Sequence, residues 1–247
     1  MSAGEQMSEE TGSNLASQEA ALVEPAYVAL PAGADILMRP SRLFSYGALK
    51  RGMDLIFATI LLVVLSPLFL VVAILIKIDS RGPVFFRQLR TGKKGKEFYM
   101  YKFRSMAVDN DWRDTSCEDK YTRVGKVIRR ISIDELPQLI NVVKGEMSFI
   151  GPRPWVPEYW ENMNEKERGR CAVRPGITGL AVVKGRNGLT VFEKIDYDLG
   201  YVRRYSLRED LKIVFLTVKT VFEGKSVDAG KSGMRNDLDD LKAENGR

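Results

Sequence analysis

The chain of 247 residues contains no histidine and only two cysteines, Cys117 and Cys171. The absence of histidine excludes a Ser–His or Cys–His hydrolase, because those nucleophiles depend on an imidazole base. Two cysteines are too few for a disulfide framework or a multi-cysteine zinc site. Any acid–base or nucleophilic chemistry must therefore come from carboxylates or from Lys, Tyr, Ser or Cys side chains.

Acidic residues are unevenly distributed along the chain. Residues 1–40 hold six acidic side chains and a single basic one, Arg39, whereas the whole chain carries a formal charge of +6. The remainder is therefore strongly basic, which suits nucleic acid, phospholipid headgroups or a phosphorylated substrate without choosing among them. Residues 1–40 are rich in Ser, Ala, Glu and Gly and lack a charged start followed by an apolar run. They predict a disordered tail and not a signal peptide.

One long apolar run, Leu55–Ile76, contains no charged residue and is long enough to cross a hydrocarbon layer of about 30 Å. A straight spanning helix is one interpretation. Pro67 lies in the middle, however, where it cannot donate to the carbonyl of Val63, and Ser66 can hydrogen-bond a carbonyl that is freed. Basic residues flank both ends: Arg39, Arg42, Lys50 and Arg51 before the run, and Lys77, Arg81, Arg87, Arg90, Lys93 and Lys94 after it. Because the positive-inside tendency then places both flanks in the cytoplasm, we favour a re-entrant hairpin broken at Ser66–Pro67.

The segments after this run predict an α+β fold that is mainly helical. Val84–Leu89 and Phe98–Phe103 are β-prone and flank Gly92–Gly95, which indicates a small hairpin. Tyr121–Lys144 has a helical pattern in two pieces. Ser206–Phe222 predicts an amphipathic helix whose apolar face either packs on the domain or lies in a membrane interface.

The segment Arg129–Pro137 has two compatible interpretations. Ser132 followed by Glu135 is the pattern of a helix N-cap with a capping box. A carboxylate at a helix N-terminus is also kept ionised, and Lys126, Arg129 and Arg130 just upstream can bind anions. Without histidine, an ionised Asp134 beside such a phosphate site is a candidate covalent nucleophile toward phosphorus. The neighbouring Glu135 is a candidate for holding a divalent metal that neutralises phosphates.

Three basic loops punctuated by glycine follow the acidic pair. Gly151–Pro154 holds Arg153 between two prolines, which would pre-organise its guanidinium for bidentate phosphate contact. Arg174–Gly179 and Gly185–Gly188 have a similar composition, and the second contains Arg186. Each loop alone is a weak signal, but together they predict a phosphate-binding surface.

The chain resembles the bacterial sugar transferase family, the monotopic polyprenyl-phosphate phosphoglycosyl transferases, over roughly residues 47–223. The resemblance is carried by the broken apolar segment Lys50–Ser80 and by a series of motifs in order: Gly82–Phe86, Tyr101–Met106, Asp134–Leu139, Asn141–Ser148, Gly151–Pro154, Arg174–Gly179 and Gly185–Asn187. One stretch departs from the family pattern. Leu180–Lys184 replaces the usual Trp, Gln and Asn, which puts the donor specificity in doubt.

The resemblance implies a two-step transfer from a UDP-sugar. The Asp of the Asp-Glu pair, here Asp134, would attack the β-phosphate, release UMP and hold a phosphosugar covalently. Polyprenyl (undecaprenyl) phosphate would then accept that group. Glu135 would be the partner of Asp134 near Mg²⁺, and these two carboxylates form the implied metal site. The residues implied in substrate binding are Arg129, Arg153, Pro154, Arg186, Lys102 and Arg104.

The resemblance also implies an architecture and a location. Residues 1–46 would be a disordered tail, 47–80 the re-entrant membrane helix, 81–223 a compact cytoplasmic catalytic domain with amphipathic interfacial helices, and 224–247 a flexible tail. We expect a monotopic protein on the cytoplasmic face of the bacterial inner membrane, in contact with phospholipids and with downstream glycosyltransferases, without a nucleic-acid partner. The sugar, the glycan pathway and formation of a homodimer stay open. Two alternatives are a membrane-bound scaffold that merely holds anionic partners and a catalytically degenerate homologue in a glycan-assembly complex.

Overall fold

The computed structural model describes residues 40–107, 121–185, 188–222 and 234–246. The helices are α1 (Pro40–Val64), α2 (Ser66–Asp79), α3 (Arg123–Arg130), α4 (Gln138–Lys144), α5 (Pro157–Asn162), α6 (Glu165–Arg168), α7 (Leu180–Lys184), α8 (Val191–Arg203), α9 (Leu207–Phe222) and α10 (Met234–Glu244). The strands are β1 (Phe85–Thr91), β2 (Glu97–Phe103), β3 (Ser148–Ile150) and β4 (Gly176–Thr178), with 3-10 turns at Lys93–Gly95, Ile133–Glu135 and Gly169–Ala172. The predicted α+β fold, mainly helical, is confirmed.

The long apolar run is broken where the sequence predicted. Helices α1 and α2 meet at Leu65 with a bend of 59°. The Ser66 hydroxyl donates a 2.7 Å bond to the carbonyl of Val63, the group that Pro67 cannot reach. No single helix in the described part of the chain is long and apolar enough to cross a membrane, although the bent pair meets that test together. Residues 40–46, predicted to belong to a disordered tail, instead form the start of α1.

A polar network fastens the start of α1 to the body. The Lys50 ammonium and the Asp210 carboxylate of α9 form an ion pair, and both residues are buried. Asp210 also accepts hydrogen bonds from the hydroxyls of Tyr46 at 2.5 Å and Tyr201 at 2.7 Å. The next residue, Arg51, donates to the carbonyls of Val142 and Val143 at the end of α4. The base of the bent pair is therefore held at several points.

The predicted hairpin is confirmed as β1 and β2, which pair antiparallel from Phe85 with Phe103 to Thr91 with Glu97. Lys94 adopts a left-handed conformation in the turn, at φ 58°. A second pair, β3 and β4, is parallel and was not predicted. Two apolar clusters hold these parts together. Ala58 of α1 packs with β2 and α4, whereas Val72 and Ile76 of α2 pack with Phe103 and Ile128.

Helix α9 buries a different face from the one that its apolar stripe predicts. Asp210 and Ile213 are buried, whereas the apolar stripe is exposed, with Phe215 70% exposed. The stripe consists of Leu207, Leu211, Val214, Phe215 and Val218. Of the two interpretations of this helix, packing of the apolar face on the domain is therefore wrong.

Residues 234–244 form a helix, so the prediction of a flexible tail over 224–247 is wrong for this part. Leu241 of α10 is fully buried in a cluster with Val156, Tyr159 and Ile195. The Lys194 ammonium of α8 also donates a 2.9 Å bond to the buried Asp237. This short polar segment contains no apolar run that would predict a helix, and its contacts come from a few side chains: Leu241, the partly buried Leu238 and the Lys194–Asp237 ion pair.

We expect Leu241→Ala to lower the free energy of unfolding by about 2–4 kcal/mol, because it leaves a cavity in a closed cluster. In a domain of this size the melting temperature should fall by roughly 4–16 °C. Thermal unfolding in detergent measures the change. Leu238→Ala is the matched control, since Leu238 is only partly buried against the same cluster and should cost less. Equal melting temperatures for Leu241→Ala and the unmodified protein would contradict the seating of α10.

Candidate active site

The acidic pair lies in the 3-10 turn Ile133–Glu135, directly after α3. Ser132 precedes it in a left-handed conformation, with φ 57° and ψ 20°, and its side chain forms no capping bond. The predicted capping box is therefore wrong. A non-glycine residue in this region costs on the order of 1–3 kcal/mol, a strain that surrounding contacts must offset. The Glu135 carboxylate, which a capping box would turn back toward Ser132, instead binds two cations.

Two cations from distant parts of the chain hold Glu135. Its Oε1 atom accepts bonds from the Lys102 ammonium of β2 at 2.8 Å and from Arg153 Nη2 at 2.7 Å. Burial alone would raise the pKa of Glu135, but the charges of Arg153 and Lys102 hold it well below its usual range. Glu135 is therefore an ionised anchor that brings both cations to the acidic pair.

Asn141 explains why Lys102 reaches this position. It is fully buried in α4, and its Oδ1 accepts from the backbone N–H of Tyr101 at 3.0 Å while its Nδ2 donates to the carbonyl of Tyr99 at 2.7 Å. This amide therefore fixes β2 against α4 in a single register. From the sequence alone, Asn141 was identified only as part of the motif Asn141–Ser148, and this role was not predicted.

Asp134 is buried, with 6% of its surface exposed, yet no hydrogen bond from the described residues reaches its carboxylate. Burial raises its pKa, Lys102 opposes that shift, and the neighbouring charge of Glu135 adds to it. The expectation that a helix N-terminus keeps this carboxylate ionised is thus only half met. Nearby cations favour the charged form, but desolvation by the protein dominates.

Arg129 lies in the last turn of α3, with its guanidinium carbon 4.7 Å from the centre of the Tyr121 ring. Its charge is among those that lower the pKa of Asp134. The structure thus brings Arg129, Lys102 and Arg153 around the acidic pair, as predicted. Arg186 lies outside the described residues.

Arg104 does not join this group. It is buried and donates to the carbonyls of Ser80 and Arg81 at 2.8 and 2.9 Å, and to the Ser80 hydroxyl at 2.6 Å. The structure thus gives Arg104 a structural role: it holds the two residues that directly follow α2. Its contact with substrate stays a prediction.

The loops at Gly151–Pro154 and Arg174–Gly179 pack directly against each other. A Cβ on Gly176 would lie 2.1 Å from the backbone nitrogen of Gly151, so glycine is required for this approach. Arg174, however, donates to the carbonyl of Gly145 at 2.9 Å and so caps α4. Pro154 is buried and takes part through its carbonyl, which accepts a 3.3 Å bond from Arg90 Nη1.

Arg90 was read from the sequence only as a charge flanking the apolar run. Burial, followed by the charge of Arg153, lowers its pKa to about 10, so it stays charged at neutral pH. Its second hydrogen bond, at 2.5 Å, goes to Gln88 Oε1, two residues earlier in β1. The sequence around Arg90 carries no signal of this role, because its partner Pro154 is 64 residues away.

The residues fit a Mg²⁺ ion that is shared with substrate. In the part of the chain that the structure describes, no group of three or more Asp, Glu or Cys side chains could hold a metal ion alone. Mg²⁺ is commonly held by one or two carboxylates together with substrate phosphates and water. Among the described residues none donates a hydrogen bond to the Asp134 carboxylate, whereas one oxygen of Glu135 is already bound by two cations.

A buried carboxylate that is surrounded by lysine and arginine, next to a bent apolar helix pair, defines an enzyme-like site for phosphorylated ligands. The chain belongs to the bacterial sugar transferase family, whose sequence profile matches residues 45–224.

Individual relatives agree with this assignment. An uncharacterized sugar transferase, EpsL, of Bacillus subtilis is 41% identical over 72% of this chain and 90% of its own length. A UDP-glucose:undecaprenyl-phosphate glucose-1-phosphate transferase of Klebsiella pneumoniae is 44% identical over 72% of this chain. A UDP-N-acetylgalactosamine-undecaprenyl-phosphate N-acetylgalactosaminephosphotransferase of Aeromonas hydrophila is 42% identical over the same share. The chain spans only 41% and 45% of the length of these two longer relatives.

Proposed function

We propose that the protein is a phosphoglycosyl transferase that moves a sugar 1-phosphate from a UDP-sugar to polyprenyl (undecaprenyl) phosphate and releases UMP. This step would initiate polysaccharide or glycoconjugate synthesis. The observation that carries the proposal is the buried carboxylate of Asp134 beside Glu135, Lys102 and Arg153, which accepts no hydrogen bond from the described residues. The relatives named for this transfer to undecaprenyl phosphate support the substrate classes.

In the first step an Asp134 oxygen attacks the β-phosphorus of the donor. A new P–O bond forms, the bond from that phosphorus to the bridging oxygen breaks, and UMP leaves with the bridging oxygen. In the second step an oxygen of the lipid phosphate attacks the same phosphorus and the carboxylate leaves. The desolvation that raises the pKa of Asp134 also makes its anion a stronger nucleophile than a hydrated one. Lys102, Arg153 and Arg129 stabilise charge on the phosphate oxygens.

We assign Mg²⁺ to Asp134, with Glu135 alongside. When bound, it supplies positive charge that neutralises the diphosphate and the leaving group. Glu135 would contribute mainly by keeping Lys102 and Arg153 in place, since both cations share its Oε1 atom.

The bent pair α1–α2 and the apolar stripe of α9 support a monotopic location at the cytoplasmic face of the inner membrane. Exposed side chains on the bent pair include Ile56, Phe57, Ile60, Val63, Val64, Leu70, Val71 and Ile78. So many exposed apolar groups are unfavourable in water and favourable in a bilayer. In this arrangement α1–α2 enters and leaves on one side, and α9 lies in the interface.

UMP release tests the proposal directly. Purified protein in nanodiscs is mixed with polyprenyl phosphate, Mg²⁺ and a panel of UDP-sugars. UMP produced from one sugar supports the transfer and identifies the donor. The alternative is a catalytically degenerate homologue or scaffold, favoured by the altered stretch Leu180–Lys184. It predicts no UMP from any donor while membrane association is kept.

The acid limb of the pH–rate profile should lie above the ordinary aspartate pKa of about 3.9, because Asp134 must be ionised and burial raises its pKa. Lys102→Met removes a charge that lowers this pKa, so the limb should move to higher pH. UMP release in the absence of acceptor, measured against pH, checks both expectations. Lys144→Met is the matched control, since the Lys144 ammonium donates a 3.0 Å hydrogen bond to the hydroxyl of Tyr101, the neighbour of Lys102. A limb that stays in place in Lys102→Met would contradict the coupling.

Both flanks of the bent pair should face the cytoplasm. Single cysteines at Ser41 and Lys94, in a protein whose Cys117 and Cys171 are replaced by serine, should resist an impermeant maleimide in intact spheroplasts. Both should react after lysis. Labelling of one of the two positions from outside would instead establish a straight spanning arrangement.

A further inference from the structure

The loop Pro152–Trp155 carries Arg153 but belongs to no helix or strand. Each of its four consecutive carbonyls nevertheless accepts a hydrogen bond from another element. The donors are Gly176 N to Pro152 at 2.9 Å, Arg170 Nη2 to Arg153 at 2.9 Å, Arg90 Nη1 to Pro154 at 3.3 Å and Thr91 N to Trp155 at 2.8 Å. Strand β1, the 3-10 turn Gly169–Ala172 and strand β4 thus fix the backbone of one loop.

Arg170 differs from the other donors because its side chain is held by a buried ion pair. Only 2% of it is exposed, and its Nε donates to Asp198 Oδ2 of α8 at 3.0 Å, with Nη2 bound to the same oxygen. Its guanidinium carbon lies 3.7 Å from the centre of the Trp155 ring. Arg170 is therefore held by a carboxylate, by an aromatic face and by the carbonyl of Arg153.

We propose that the Arg170–Asp198 ion pair is a positioning device for donor binding, which sets the direction of Arg153 through the Arg153 carbonyl. The inference rests on the proposed function, because it assigns Arg153 to the phosphates of the nucleotide. Asp198 fixes the Arg170 side chain, which stacks on Trp155 and binds the carbonyl of Arg153. The Arg153 guanidinium then reaches Glu135 from a loop that no helix or strand supports. Neither Arg170 nor Asp198 touches substrate.

A purely structural role is the rival explanation, and the physical chemistry of buried ion pairs weighs against it. Desolvating two charges offsets much of their attraction, so an apolar pair of the same volume commonly gives equal or greater stability. A lysine in place of Arg170 keeps the charge but cannot bind the carboxylate and the carbonyl through a planar fork. The two roles differ in one respect: positioning acts only through Arg153, whereas general destabilisation acts whether or not Arg153 is present.

A double-mutant cycle on the full chain in nanodiscs separates the two roles. Arg170→Lys, Arg153→Ala and the double variant are compared for UDP affinity, for donor-dependent UMP release and for the KM of polyprenyl phosphate. We expect Arg170→Lys to lower donor kcat/KM by roughly 10-fold in the unmodified protein and less than about 2-fold in Arg153→Ala. The acceptor KM should not change. Asp198→Asn should repeat this pattern.

Lys194→Met is the matched structural control, because it removes a mostly buried ion pair on the same helix α8 without touching the loop. It should lower the melting temperature and leave donor kcat/KM unchanged. If Arg170→Lys fails to fold, Trp155→Phe keeps the ion pair, reduces the stacking face and should give a smaller donor-specific loss that disappears in Arg153→Ala.

Equal losses in both backgrounds, or no loss in a folded variant, would overturn the inference. UDP binding that shows the coupling, with no UMP released from any donor, would overturn only the proposed function. UMP release without coupling would overturn only the positioning role. A chain that neither binds UDP nor releases UMP would overturn both.

Discussion

Asp134→Asn should abolish UMP release and the covalent phosphosugar intermediate. The amide has nearly the same shape as the carboxylate but lacks the anionic oxygen that forms the new bond to phosphorus. Removing a covalent nucleophile lowers turnover on the order of 10⁴- to 10⁶-fold. The free energy of unfolding of Asp134→Asn should rise or stay constant. Burial raises the pKa of Asp134, so its charge destabilises the fold at neutral pH, and the neutral amide removes that cost.

Two measurements test this expectation together. Intact-protein mass spectrometry after mixing with donor, without acceptor, should show a phosphosugar adduct on the unmodified protein and none on Asp134→Asn. UMP release should disappear in parallel. Asp196→Asn on α8 is the matched control, because it makes the same chemical change at a partly buried aspartate outside the site and should retain turnover. The nucleophile assignment would be wrong if Asp134→Asn kept most of its activity or if the adduct lay on another residue.

Local chemistry explains which features could be predicted from the sequence. Pro67 breaks the apolar helix because it lacks an N–H, and Ser66 binds the Val63 carbonyl next to it. Neither effect needs a distant residue. The β1–β2 hairpin is likewise encoded by two β-prone runs around a turn rich in glycine and lysine. The motif order that relates the chain to its family led to Asp134, Glu135, Lys102 and Arg153, which the structure brings together.

Distant partners explain the failures. Ser132 and Glu135 have the right spacing for a capping box, but Lys102 and Arg153 offer Glu135 two charged donors, which are stronger than one backbone N–H. Arg104 has the side chain of a typical phosphate ligand, but the carbonyls of Ser80 and Arg81, just after α2, occupy its guanidinium. No local pattern could distinguish these outcomes.

The two C-terminal helices show a similar limit. The period of apolar residues located α9 correctly but could not reveal that the face with Asp210 and Ile213 would be buried, with Asp210 paired to Lys50. Helix α10 has too few apolar residues for a periodic signal, and Leu241 alone is buried among α5 and α8 residues. Periodicity predicts the existence of a helix better than the face that it buries.

Arg153→Ala should weaken donor use by about 2–5 kcal/mol, the range found when one partner of a desolvated charged contact is removed. This is roughly a 30- to 5,000-fold fall in kcat/KM for the UDP-sugar. The side chain is 42% exposed, so its ion pair with Glu135 is partly screened by water, and most of the loss must arise when the donor covers it. The KM of polyprenyl phosphate should change less, because Arg153 is assigned to the nucleotide phosphates.

Steady-state UMP release at varied donor and fixed acceptor measures the effect. Arg168→Ala is the matched control: this guanidinium stacks on Trp160, donates to its carbonyl and touches neither Glu135 nor Asp134, so donor kcat/KM should stay the same. Unchanged turnover of Arg153→Ala at low donor would remove its assignment. A loss confined to the acceptor would move Arg153 to the lipid phosphate. The phosphates of the donor would then be assigned to Lys102, which also binds Glu135, and to Arg129.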